Sequence, residues 1–220
     1  MSSPIKPTLK SEIIPIALLV LAIAASFYFY AYFPEQVPSH WNFQGEIDSY
    51  SSRGFAAFFF PALNVVIYLL FLAIPYLDPK KDRYQEFTKA YHVFKNLIVA
   101  FMTIIYFFIG VAGLGYQVPI TLLVPSLVGI LFIVIGNYLS KIKTNWFMGI
   151  RTPWTISNDE VWNKTNRLGG KLFVAFGALM ILGIFLPQEI FWQIFMICTA
   201  VVVIVPIVYS YFLYRKISQK

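Results

Sequence analysis

A chain of 220 residues that is 59% hydrophobic, 19% aromatic and only 12% charged is too apolar for a soluble domain of its size. Its net charge of +7 is not gathered into a stripe of Lys and Arg, so it reads as a topology signal and excludes direct nucleic-acid binding. A single cysteine, Cys198, excludes a disulfide framework and a cysteine-based metal site.

The apolar runs are Ile13–Phe33, Phe55–Leu77, Asn96–Tyr116, Ile120–Ser140, Leu168–Leu186 and Ile190–Leu213. About 20 apolar residues cross a hydrocarbon core of roughly 30 Å, so each run is long enough to span. The expected fold is all-α: a polytopic membrane helical bundle of about six transmembrane helices. Lys6 and Lys10 ahead of Ala22-Ile23-Ala24 have the outline of a cleavable signal, but the run continues to Phe33 and fits an uncleaved first span better. Lys171, near the start of the fifth run, must reach back to the interface.

Charge between the runs orients the chain, because Lys and Arg accumulate on cytoplasmic loops. In chain order the segments carry +1 at the N-terminus, −2, +2, zero, +4, −1 and +3 at the C-terminus. Both termini and the two long basic loops are therefore expected in the cytoplasm, with the acidic loop after the first span outside. No ionisable side chain falls inside a run core, which argues against an ion-coupled pump. Asn64, Thr103, Asn137, Gln193 and Thr199 read as interhelical hydrogen-bond partners, and Gly129 with Gly136 as a place where helices approach closely.

The outward loop, Tyr32 to Gly54, holds two prolines and two glycines among aromatics, which favours a compact cap of fixed turns. His40 and Asp48 invite a metal or acid–base reading, yet the only other histidine, His92, is expected on the opposite side of the membrane. Both are better read as hydrogen-bonding the turns. In the second loop, Asp78-Pro79 fits an N-cap and first-turn pair, and Tyr84, Phe87, Tyr91 and Phe94 recur as one apolar stripe. With Lys80, Lys81, Arg83, Lys89 and Lys95 around it, this helix is expected in the inner interface against anionic lipid.

The large basic loop carries the densest motif. Gly149 permits tight backbone geometry, Pro153 holds Thr152 extended, and Arg151 stands among tryptophans where it could stack on indole or grip a carboxylate or phosphate. Ser157 with Glu160 makes a capping box that starts a helix near Asn158, carrying Val161, Trp162, Thr165 and Asn166, and Gly169-Gly170 is expected to loosen or end it. Composition alone allows a plainer reading, a surface loop with Trp anchors and inward arginine.

Asn145, the run Gly149-Ile150-Arg151-Thr152-Pro153-Trp154-Thr155 and Trp162 resemble the signature of the SdpI family of bacterial peptide-toxin immunity and signal-receptor proteins. Pro38-Ser39-His40-Trp41-Asn42 with Gly45 and Asp48 resembles the small domain of unknown function that usually precedes it. The resemblance implies a multi-pass cell-membrane protein that meets a secreted peptide toxin outside and holds a cytosolic transcriptional repressor inside. On that reading Pro38, His40, Trp41, Asn42, Gly45 and Asp48 contact toxin or shape the loop, while Asn145, Gly149, Arg151, Thr152, Pro153, Trp154 and Trp162 dock the regulator or shape theirs. Residues 1–95 form an N-terminal two-span module and 96–220 a four-span module. No metalloprotease pair, nucleophile elbow, phosphate loop or dinucleotide fingerprint occurs, so no enzyme, cofactor or metal is expected. The alternatives are a small transporter with a path lined by Asn64, Asn137 and Gln193, and a structural envelope protein.

Overall fold

The computed structural model describes residues 5–219; Lys220, counted in the basic tail, lies outside the described residues. Helix α1 spans Leu9–Tyr32, strands β1 Gln36–Trp41 and β2 Ile47–Ser52 form a hairpin, and α2 spans Arg53–Leu77. A 3-10 segment, Lys81–Phe87, leads into α3, Thr88–Gly113. Then come α4 Ile120–Leu139, α5 Pro153–Ser157, α6 Asp159–Gly183 and α7 Gln188–Ser218.

Five of these stretches are long and apolar enough to cross a membrane: α1, α2, the 3-10 segment with α3, α4 and α7. The all-α membrane bundle expected from the sequence is thus observed, with the hairpin as its one β element among the described residues. The fifth apolar run belongs to α6, whose first half carries Asp159, Glu160, Lys164, Arg167 and Lys171 and whose second half alone is apolar.

Local chemistry moves several boundaries. Thr8 and Ser11 cap each other reciprocally, with the Ser11 N–H donating to Thr8 Oγ1 at 3.2 Å, so α1 begins four residues before its apolar run and takes Glu12 into its first turn. At α6 the cap is Asn158 and not Ser157: Asn158 Oδ1 accepts from the N–H groups of Glu160 and Val161 at 2.9 and 3.0 Å. Gly169 and Gly170 do not end α6, which continues to Gly183. The aromatic stripe is also placed differently from expectation. Tyr84, Phe87, Tyr91 and Phe94 are all buried in protein and do not face lipid, because Asp78 accepts from the Lys80 N–H and the Tyr84 hydroxyl and folds the segment inward.

The described residues divide into two compact units, one of 5–6, Ala73–Phe94 and 125–219, the other of Pro7–Leu72 and Lys95–Val124. In the first, α4 and α6 meet through glycines. A Cβ on Gly136 would lie 2.5 Å from the Gly170 carbonyl oxygen, and one on Gly129 2.6 Å from that of Gly177, so only glycine permits this backbone-to-backbone contact. Phe176 and Met180 of α6 complete a core with Phe191 and Val202 of α7. In the second unit, Ala22, Phe29, Phe33, Val37, Ala56, Ala57 and Tyr106 form the core, Phe29 and Phe33 stacking with centroids 5.1 Å apart. Between apolar helices in lipid such fitting supplies van der Waals contact, which carries association where burial from water does not.

Candidate functional site

Asn42 builds the tip of the hairpin. Its Oδ1 accepts from the Gln44 and Glu46 N–H groups, each at 2.9 Å, its own N–H donates to the Glu46 carbonyl at 2.9 Å, and its Nδ2 donates to the Glu46 carboxylate at 3.0 Å. Gly45 completes the turn with φ of +81°, a conformation that side chains disfavour. Val37 and Pro38 are buried and hold β1 down, while His40 and Asp48 face outward and bond each other, Nδ1 to Oδ1 2.5 Å. They link the two strands directly and do not cap turns. Among the described residues no three His, Cys, Asp or Glu side chains cluster as a metal site would require. A cavity of about 720 Å³ opens between the hairpin and the 115–119 connection from α3 to α4.

The loop between α4 and α5 is held by saturated amides. Asn145 Oδ1 accepts from the N–H groups of Phe147 and Met148 at 2.8 and 2.7 Å, and its Nδ2 donates to the carbonyls of Lys143 and Met148 at 2.8 and 3.0 Å. Gly149 has φ of +102°, and a Cβ there would lie 2.8 Å from the Trp162 ring and 2.9 Å from Asn166 Oδ1. Trp162 is fully buried and donates its indole N–H to the Ile142 carbonyl at 2.8 Å; Asn166 Oδ1 accepts from the Ile150 N–H at 2.8 Å. Thr152 is extended as Pro153 requires, caps α5 reciprocally with Thr155, and meets the hydroxyl of Ser210 on α7 at 3.0 Å. Trp154 packs edge-on against Tyr211, centroids 5.1 Å apart. Arg151 neither stacks nor pairs with a carboxylate among the described residues; it donates to the Trp146 carbonyl and is exposed, beside exposed Trp146 and Phe147.

A charged latch stands next to this loop. Asp159 accepts from Thr144 Oγ1 at 2.6 Å and from Arg83 Nη1 at 2.8 Å, and these donors, Thr144 first, hold its carboxyl below the usual range. Trp146 N–H donates to Asp78 at 2.9 Å, tying the loop to the turn before the 3-10 segment.

The chain matches the SdpI/YfhL protein family over residues 141–210 and a domain of unknown function, DUF1648, over residues 17–65. It is 26% identical to the immunity protein SdpI of Bacillus subtilis (strain 168) over 210 residues, 96% of this chain and 99% of that one. The likeness to that immunity protein thus runs nearly the whole length of both chains. No solved structure matches this chain. The first match covers the Asn145-to-Trp162 loop, α5, α6 and most of α7, and the second covers the hairpin with parts of its flanking helices. Both motifs singled out in the sequence lie inside these matches.

Within the two matched motifs the structure separates presentation from support. Pro38, Asn42 and Gly45 shape the hairpin, Trp41 lies opposite Ile47, and His40 and Asp48 are at the surface. Asn145, Gly149, Thr152 and Trp162 are engaged within the fold, Pro153 opens α5 at the surface, and Arg151 is left exposed.

One group is placed against expectation: Lys95, read as facing anionic lipid, is buried against Glu12. Lys95 Nζ donates to both carboxylate oxygens of Glu12, the Tyr68 hydroxyl donates to Glu12 at 2.9 Å, and Glu12 and Lys95 are only 6% and 1% exposed. A turn further in, Asn64 Nδ2 donates to the Val99 carbonyl and Thr103 Oγ1 at 3.1 and 3.0 Å. Asn64 and Thr103 are thus partners across helices as expected, whereas Asn137 and Gln193 are exposed and Asn137 bonds only the carbonyl of Ile133 on its own helix.

Proposed function

We propose that this chain is a non-enzymatic immunity protein of the cell membrane that protects its host against a secreted peptide toxin and recruits a cytosolic transcriptional repressor. The observation that carries the reading is the similarity to the Bacillus subtilis immunity protein SdpI across 96% of the chain. Both termini and the Asn145-to-Trp162 loop face the cytoplasm, and the hairpin faces out; the basic charge of the inward segments and the acidic charge of the hairpin support this. Toxin meets the hairpin, where His40, Asp48 and Glu46 are accessible, and the regulator meets the exposed surface of Arg151, Trp146 and Phe147. The hairpin lies within residues 1–95 and the regulator loop within residues 96–220.

The test is survival of a toxin-sensitive bacterium expressing the chain when challenged with an SdpC-like peptide, beside an unrelated pore-forming peptide. Selective survival supports immunity. Equal protection against both peptides, or none with the protein confirmed in the membrane, overturns it in favour of an envelope or transport role.

A further inference from the structure

The cavity beside the hairpin is framed at both ends by close approaches that only glycine allows. A Cβ on Gly45 would lie 2.8 Å from Thr121 Cγ2 at the start of α4, and one on Gly113 would lie 2.6 and 2.8 Å from Phe33 and Val37. The hairpin is therefore seated on the α3–α4 connection at its tip and at its base, and the space between stays open. Its volume of about 720 Å³ lies in the range of sites that bury a ligand side by side with several apolar groups. Pro38, Trp41, Ile47, Tyr116 and Val118 supply apolar and aromatic walls, and Glu46 is the one charged residue among those that line it. Ile47 and Tyr116 are 42% and 68% exposed, which leaves apolar surface at the mouth of the cavity without a covering element.

Charge decides between occupants. Of the acidic groups on the hairpin, Asp48 is engaged by His40, and the Glu46 carboxylate receives only the neutral Asn42 amide. No lysine, arginine or histidine lines the cavity. A neutral lipid tail would leave this carboxylate uncompensated beside an apolar wall, and an anionic headgroup would be repelled.

We propose that this cavity binds an apolar segment of an extracellular peptide that also carries a cationic group, with Trp41, Tyr116 and Val118 taking the apolar side chains and Glu46 the charge. The site rests on the immunity reading for its orientation and names the part of the hairpin that does the binding. His40 and Asp48, occupied with each other, serve to hold the strands together beside it. The α3–α4 connection, uncharged and silent in sequence, becomes half of the recognition surface.

Full-length protein in zwitterionic nanodiscs is titrated with a dansyl-labelled synthetic peptide of alternating Leu and Lys, and with its Leu and Glu counterpart. Saturable binding of the Leu/Lys peptide is expected, at least tenfold tighter than the Leu/Glu peptide. Glu46→Lys is expected to remove that preference, and Tyr116→Ser to weaken the Leu/Lys peptide about tenfold, while Glu35→Gln, off the cavity, leaves affinity unchanged. Unaltered affinity in Glu46→Lys and Tyr116→Ser overturns the proposal, as does failure of the wild-type protein to bind the Leu/Lys peptide. Brominated-lipid quenching that Trp41→Phe removes and the peptide does not relieve overturns it in favour of a lipid tail. The same variants in the survival test separate the two readings. Protection by wild type and Glu46→Lys alike removes the cavity and leaves immunity standing; charge-selective binding without any protection does the reverse.

Discussion

Lys95 and Glu12 show how far a few residues of helix boundary can change the reading of a charge. Both stand outside the apolar runs, Glu12 in the N-terminal segment and Lys95 on the helix expected against anionic lipid, yet capping by Thr8 and the early start of α3 bury them against each other and Tyr68. The reciprocal Thr8–Ser11 cap was the available clue, since it moves the helix start ahead of Glu12. Removing one partner of such a pair is worse than removing both, because the survivor keeps its desolvation cost without compensation. Lys95→Met is therefore expected to lower stability by roughly 3–5 kcal/mol, read as a fall in the thermal unfolding midpoint in detergent, and Glu12→Gln added to it to recover most of the loss. A single variant as stable as wild type would mean that the pair is hydrated. Gly149 and Trp162 are the opposite case. Their roles were partly legible, because a glycine ahead of an Arg-Thr-Pro run and a tryptophan on the inner face of a capped helix each have few conformational options.

Among the elements, α4 and α6 depend most narrowly on composition. Gly129 and Gly136 announce a close approach in sequence, but their partners Gly170 and Gly177 do not, and Gly169-Gly170 even suggests a helix end. A glycine pair ends a helix in water, where its exposed backbone finds solvent; against another helix's carbonyls it is the fitting that lets two backbones touch. That distinction requires knowing the neighbour, which a single sequence does not supply. Gly136→Leu must push Gly170 and Val174 away and is expected to cost roughly 1–3 kcal/mol or to abolish accumulation of the folded protein. Gly54→Ala, with nothing within 4 Å of the added Cβ, is the control and should be near neutral by the same thermal measurement. Equal behaviour of the two variants would show that the α4–α6 contact yields easily. The hairpin was read only as a compact cap, since β1 and β2 have weak alternation, with Pro38 in one strand and three serines in the other.

At the scale of the whole molecule, the fold class was legible because a chain in lipid must satisfy its own backbone hydrogen bonds, so long apolar runs can only be helices. The proposed orientation rests on the charge alternation and is open to a direct check. In a Cys198→Ser background, Ser49→Cys on the hairpin is expected to react with a membrane-impermeant maleimide on intact cells, and Lys164→Cys only after permeabilisation; the reverse pattern would invert the assignment. The buried ion pair carries a further consequence, for biogenesis. Glu12 and Lys95 are 83 residues apart, so α1 is synthesised and inserted long before the ammonium group that neutralises it exists. Until then its first turn must stay in the headgroup layer, where water can solvate the carboxylate. The arrival of α3 is thus the event that lets the N-terminus of α1 settle, and insertion of this half of the chain concludes with its third helix and not its first.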